Sequence, residues 1–292
     1  MSSKKQDART MFKIEFTKSS NVHMLTDEEL KRLQAVELDI LKDFLKVVEE
    51  KNISYTLSGG SVLGTIRHGG FIPWDDDVDI CMMRKDYEKF KDICKTELNP
   101  KYFYQSKDTD PEYYHLFDKI RVNGTVFKED LIAEHDIHHG VYIDIFPMDY
   151  VPTNSFLRGI QFWKFHFYRT GLMAKYMSME ERTGYKLLAA KVVRALFRPF
   201  SLDSLYKNAT REACRYDGKR SSYIFNFCSA INEKSLCHAS CLEDVVYAKF
   251  EDKEFLIPKE YDEVLRVEYG DYMQLPPEED RVPHHHLTEL KI

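Results

Sequence analysis

Residues 58–80, SGGSVLGTIRHGGFIPWDDDVDI, constrain this chain more than any other stretch. A Gly-Gly-Ser turn opens it and a second Gly-Gly follows at Gly69-Gly70. Four aspartates, Asp75, Asp76, Asp77 and Asp79, then crowd the start of an apolar run. That run reads as a strand over 78–82. Alternate residues of a strand share a face, so Asp77 and Asp79 project together at about 7 Å Cα separation. Two carboxylates so placed repel each other unless a cation neutralises them. Their spacing suits one or two hard divalent ions held through oxygen, as in phosphoryl-transfer sites. Asp75 has the same parity and is a candidate third ligand. Asp76 points the other way and is expected to face solvent. The competing reading is a solvated acidic turn; the glycine turn upstream and the apolar strand that begins at the charges weigh against it.

Gly59, Gly60 and Ser61 follow a short strand at 53–57 and open a helical stretch at 61–67. Their backbone N–H groups are therefore free to face an anion. A Gly-Gly-Ser turn alone is weak evidence, but the paired aspartates sixteen residues on make the combination specific. Further along, Asp144 stands inside the apolar strand VYIDIFP at 141–147, where a lone acid is costly unless paired or metal-bound. Lys119 and Arg121 share a face of the strand at 115–122, and cations there would neutralise phosphates. Arg67 and His68, between the two glycine pairs, are further candidate phosphate or substrate contacts. Asp149, one strand-length beyond Asp144, reads as structural.

The elements around these residues follow from periodicity. Residues 1–23 read as a loose arm with one short strand at 12–16. Thr26 and Glu29 form a capping box, and apolar residues at helical spacing continue from it to about Lys51. A second amphipathic helix spans 86–98. Strands are expected at 102–105, 115–122 and 125–128, the last two joined as a hairpin by Asn123-Gly124. Residues 155–200 read as two helices broken near 178–184, rich in Phe, Trp and Tyr and carrying nine Lys/Arg against two acids. A third helix covers 202–216. Strands at 223–227 and 245–250 and a helix at 261–269 precede a Pro-rich, His-ending tail. The domain division expected is an arm at 1–23, a core at 24–154, a basic aromatic helical insertion at 155–217 and a segment at 218–292 that completes the core.

The run GGSVLGTIRHGGFIPWDDDVDI, the later VYIDIFPMD and the tail YGDYMQLPPEEDRVPHH together resemble the LicD family over about residues 25–285. That resemblance implies an α/β (α+β) fold, a nucleotidyltransferase-like mixed sheet flanked by helices with a helical insertion or lid. It implies metal-dependent transfer of a phospho-substituent, typically phosphocholine from CDP-choline, to a sugar of a surface polysaccharide or teichoic acid precursor, with Mg2+ or Mn2+. On the family's pattern Asp77 and Asp79 are the metal-binding DxD, Asp75 the acid before it, and Asp144 the third carboxylate on an adjoining strand. Asp144 would hold a second ion or take the proton of the attacking hydroxyl. Arg281, His284 and His285 fall in the tail motif, for which a site-covering role is expected. A nucleotidyltransferase that attaches the nucleotide, and a non-catalytic scaffold in glycan biosynthesis, stay open as rivals.

Bulk properties narrow the partners. A net charge of −6 speaks against a generic nucleic-acid binder. The N-terminus lacks a secretory apolar region, no stretch reaches the roughly 18 apolar residues of a membrane span, and six cysteines form no disulfide framework. A cytoplasmic protein with reduced thiols is expected. Cys237-His238-x-x-Cys241, with Cys228 nearby, offers zinc ligands but lacks the second spaced pair of the common zinc modules. The basic aromatic block allows peripheral contact with an anionic membrane leaflet, which a lipid-linked glycan acceptor would require. Aromatic content does not choose the donor's head group, because Tyr and Phe alone number 37.

Overall fold

The structure, a computed structural model, describes residues 23–179, 184–228 and 236–292. The strand expected at 12–16 lies outside them. Helix α1 spans Asp27–Lys51 and starts at the expected capping box: Glu29 N–H donates to Thr26 Oγ1 (3.2 Å) and Thr26 N–H to Glu29 Oε2 (2.9 Å). It ends where Asn52 turns left-handed at φ 50.

Its apolar stripe, including Leu33, Ile40, Leu41, Phe44 and Val48, is buried against a mixed sheet. The sheet runs β1 (Thr56–Leu57), β2 (Asp79–Met83), β6 (Tyr142–Val151), β4 (Asp118–Val122), β3 (Tyr102–Gln105). β2 and β6 are parallel and the other neighbours antiparallel. This is the α/β class the sequence led us to expect. Ile80, Met82, Ile120, Ile143 and Ile145 share the sheet face that joins α1 and α3 (Arg84–Glu97) in one core. β6 outruns its neighbours, and its far end pairs with β7 (Tyr223–Phe225), which pairs with β8 (Leu236–His238).

The expected hairpin at Asn123-Gly124 does not form. Gly124 does take a positive φ of 82, but both edges of β4 are already occupied by β3 and β6. The chain has no free edge to fold back on. Thr125 Oγ1 instead donates to Val122 O (2.8 Å) and accepts from Val141 N (2.9 Å). β5 (Val126–Glu129) then pairs with the C-terminal strand β11 (Leu287–Lys291).

Helices α4 (Ser155–Tyr176), α5 (Gly184–Leu196) and α6 (Leu202–Ala213) match the expected insertion in position. Phe162 and Phe165 of α4 pack with Ala209 and Ala213 of α6 and with Phe225 and Phe227, at the β7 side of the sheet. Several of the block's cations are tied to backbone carbonyls. Arg158 reaches Pro152 O (2.7 Å), Arg194 reaches Ala174 O and Met177 O (2.7 and 2.9 Å), and Lys175 reaches Phe200 O. The final segment adds α7 (Ser240–Glu243), a hairpin of β9 (Val245–Phe250) and β10 (Lys253–Pro258), and α8 (Tyr261–Tyr269).

Candidate active site

Strand register builds the site. Asp79 of β2 lies opposite Asp144 of β6, and Asp144 lies opposite Lys119 of β4, so one cross-strand row carries two acids and a cation. The side chains alternate with the isoleucines of the core and so occupy the other face of the sheet. The next row in the same direction is apolar. Cys81 lies opposite Phe146, and the ring of Phe117, just before β4, stands 4.5 Å from that of Phe146. Met148 follows on β6. These rows floor a cavity of about 530 Å³, closed by Ser58, Gly59 and Asp77 at the acid end and by Glu268, Tyr269 and His285 from the C-terminal segment. None of the described residues of 155–217 lines it; the residues that face the acid row across the cavity come from the C-terminal segment.

The glycine turn is pressed against the acids. α2 (Gly59–His68) begins at Gly59 with φ 51, and a Cβ there would stand 3.3 Å from Asp79 Oδ2. At Gly60 a Cβ would stand 2.7 Å from Asp75 Oδ2, closer than real Cβ contacts. The N–H of Ser61, expected to face an anion, donates instead to Ser58 O at 3.0 Å. Ser61 is buried, and its hydroxyl accepts the Asp79 N–H at 2.9 Å. With Ser58 N–H on Asp79 O at 3.0 Å, it stitches the turn to the acid strand.

Burial and mutual repulsion push the acids up. Asp77 rises to about 7, first through burial and then through the charge of Asp75. Asp79 rises well above the ordinary carboxylate range through burial, Asp77 and Asp144. Asp144 is raised by burial, against the pull of Lys119, whose Nζ donates to Oδ1 at 2.7 Å. The described lining of the cavity contains no Lys or Arg. Oxygen donors that cannot all ionise without added positive charge have the chemistry a hard divalent cation takes, but the ligand atoms of Asp77, Asp79 and Asp144 do not all come within 4.8 Å of one another.

Other expected residues fall elsewhere. Asp76 does not face solvent: it is fully buried and accepts the N–H groups of His284 and His285 (3.1 and 3.0 Å) while pairing with His285 Nδ1 at 3.1 Å. Burial opposes both charges, yet the pairing keeps Asp76 below its ordinary pKa and raises His285 to about 10. Lys119 and Arg121 do share a face, as parity requires, but neither is open to a phosphate. Lys119 is buried between Asp144 and the Tyr142 ring, 3.3 Å from the centroid. Arg121 has no exposed surface and is bound by Gln105 Oε1 and Gly140 O. Asp149 is structural as expected, held by Arg84 in two hydrogen bonds of 2.8 Å.

A second cavity of about 540 Å³ lies across the turn, bordered by Gly60, Arg67, Trp74, Asp75, Tyr269 and His284 among others. Arg67 donates to Tyr272 O at 2.9 Å and to His68 Nε2 at 2.9 Å, and both Arg67 and Arg281 stand about 6 Å from the Trp74 ring centroid. His68 is exposed and outside the lining of both cavities. Among the described residues, Asp75, Asp76 and His284 are the group whose ligand atoms come within 4.8 Å of one another. Cys228, Cys237 and Cys241 line the first cavity but are not in that group. His285, from the tail expected to cover the site, lines the first cavity; the sequence carries no comparable signal for Glu268 and Tyr269 as lining residues. Phe146 and Cys81 could have been found, since each lies two residues beyond a predicted acid on the same strand face.

The family description "LicD/FKTN/FKRP, nucleotidyltransferase domain" matches residues 52–187. The chain is 32% identical over 264 residues to the lipopolysaccharide cholinephosphotransferase LicD of Haemophilus influenzae, covering 88% of this chain and 96% of that protein. It is also 50% identical over 40 residues to the human ribitol 5-phosphate transferase FKRP, 14% of this chain and 8% of that protein. An uncharacterised protein of Rickettsia typhi, RT0683, is 36% identical over 75 residues, 24% of each chain.

Proposed function

The chain belongs to the LicD family, and from that premise we propose that it transfers phosphocholine from a CDP-activated donor, CDP-choline, to a hydroxyl of a glycan or lipid-linked glycan acceptor. The family makes it a transferase of phospho-substituents; the donor and the acceptor, a teichoic acid or surface polysaccharide precursor, are the proposal. The observation that carries it is the acid row of Asp79 and Asp144 beside Asp77, set against a glycine turn in one cavity.

Mg2+ or Mn2+ is the cofactor we assign, held by Asp77 and Asp79 with Asp75 and Asp144 as further donors; bound there, it would polarise the phosphoryl oxygens. The N–H groups at Gly59 and Gly60 open a helix N-terminus toward the phosphates. Asp144, held by Lys119, takes the proton of the acceptor hydroxyl. The acceptor oxygen bonds to the phosphorus that carries choline, the bond from that phosphorus to the CMP oxygen breaks, and CMP leaves with the electron pair. The reaction is assigned to the cytoplasmic side of a membrane. Among the described residues no helix is long and apolar enough to cross one, and α4 and α5 supply a surface for peripheral contact.

The test is a donor screen with CDP-choline, CDP-ethanolamine, CDP-glycerol and CDP-ribitol, each with and without divalent metal and a lipid-linked acceptor. Metal-dependent CMP release that is greatest with CDP-choline is expected. Asp77→Asn should lower it at least about a hundredfold, the scale of losing one electrostatic stabiliser. Release of pyrophosphate from a nucleoside triphosphate in place of CMP would replace the proposal with nucleotidyl transfer. Near-normal turnover in Asp77→Asn would refute the metal assignment.

A further inference from the structure

Between α2 and β2 the chain reaches the acids through the loop 69–78, and two elements outside that stretch hold it. The first is the tip of the β9–β10 hairpin. Phe250 pairs with Lys253, so Glu251 and Asp252 make a two-residue turn. Glu251 takes φ 55, a left-handed conformation that hairpin turns usually give to Gly, Asn or Asp. This strained residue meets the loop twice. Its N–H donates to Gly69 O at 2.8 Å, and its Oε1 accepts the Phe71 N–H at 3.0 Å. Gly70 leaves the room for it, since a Cβ there would overlap the Glu251 carboxylate. The Phe71 ring stands 4.9 Å from that of Phe250, and Asp252 pairs with Lys42 of α1 at 2.8 Å. The second element is α1 itself, from which Gln34 Nε2 donates to Ile72 O at 3.2 Å and to Asp75 O at 2.8 Å.

We propose that Glu251 and Gln34 are positioning residues for the transfer reaction: together they clamp residues 69–75 and so fix where Asp75 stands beside the glycine turn. Neither lines the first cavity, and each acts through the loop backbone. Strained backbone persists where its surroundings over-determine it, and it gathers at functional sites. A glycine at 251 would relax the turn but offer no acceptor to Phe71, so the glutamate serves the loop at the hairpin's expense. The reach to the acids is short. Asp75 N–H donates to Ile72 O at 2.9 Å, next to the clamped Phe71, and the Asp75 carboxylate lies against Gly60. A displacement of about 1 Å at a reacting centre is enough to cost as much as about a hundredfold in rate. This inference rests on the proposed function for the reaction it serves, but the clamp itself is testable without turnover.

The experiment follows CMP release from CDP-choline, thermal melting and amide hydrogen exchange in the full chain. Glu251→Gly is expected to melt close to the wild type and to exchange faster over residues 71–79. Its kcat should fall about tenfold while the donor KM stays within about twofold. Glu251→Gln keeps an oxygen for the Phe71 N–H and should recover most of the lost kcat. Gln34→Met keeps the length of the side chain without its donors and should repeat the loss. A Glu251→Gly protein with wild-type kcat overturns the inference. So does one whose kcat falls only in step with its melting and recovers fully on cooling, since that would assign the residue to stability alone. Faster exchange confined to the hairpin at 245–258 overturns it as well. If the wild type itself releases no CMP, the proposed function fails alone, and faster exchange over 71–79 in Glu251→Gly and Gln34→Met would still uphold the clamp.

Discussion

At position 60 one methyl group is enough to move an acid. The Cβ of an alanine there would stand 2.7 Å from Asp75 Oδ2, and Asp75 is buried beside His284, whose Nδ1 is 3.4 Å from its other oxygen. The carboxylate must rotate, and with it the charge that presses on Asp77. Gly60→Ala should therefore reduce kcat at least about tenfold, as small displacements at such sites do, while thermal melting shifts by only a few degrees. Equal kcat for variant and wild type would show that Asp75 has no part in the reaction. Strand parity was enough to read the acids that share a face, Asp77, Asp79 and Asp144. It could not say what lies above a side chain. Opposite parity predicts a solvent-facing Asp76, yet its partners come from 208 and 209 residues away. Parity also places Lys119 and Arg121 on one face, but the depth of burial that closes them to a phosphate depends on Tyr142, Gln105 and Gly140.

Among the elements, β6 does the most: it pairs with β2, β4 and β7, brings Asp144 to the site and Asp149 to the helix behind it. Asp149 receives Arg84 from the first turn of α3, and both side chains are buried. Removing one partner leaves a charge in the interior, which costs about 3–5 kcal/mol, whereas removing both costs far less. Arg84→Met should lower the unfolding free energy measured by denaturant titration by that amount, and Arg84→Met with Asp149→Leu should recover most of it. A double variant as unstable as the single one would show that the pair acts through packing and not through charge. Local signals served well for such elements: the capping box at Thr26, the α8 span and the strand around Asp144 were all legible. They fail at β5, where Gly124 takes a positive φ but Asn123 does not, and β4 has no edge left for a hairpin. The pairing of β5 with β11, across more than 150 residues, has no local signature.

For the whole molecule, the acid site and the exposed apolar surface belong to different elements. The acid site lies among β2, β6 and α8, while α4 and α5 expose Phe156, Ile160, Trp163 and Phe167 at helical spacing on one helix and Tyr185, Leu188, Val192 and Leu196 on the other. Lys191 and Arg198 are exposed beside them. The sequence carried the basic and aromatic excess, but only the structure separates cations that bind backbone carbonyls from those left at the surface. Contiguous exposed apolar side chains with neighbouring cations suit an anionic lipid surface, and a lipid-linked acceptor would be met there. Flotation with anionic vesicles at low salt should carry the protein to the top of the gradient, with recovery falling as salt is raised. Trp163→Ser with Leu188→Ser should reduce that recovery at least about fivefold while leaving donor hydrolysis to water intact. If the protein stays at the bottom on anionic vesicles, or sediments as a dimer that the same two substitutions dissolve, the surface is not a membrane contact but a seat for protein.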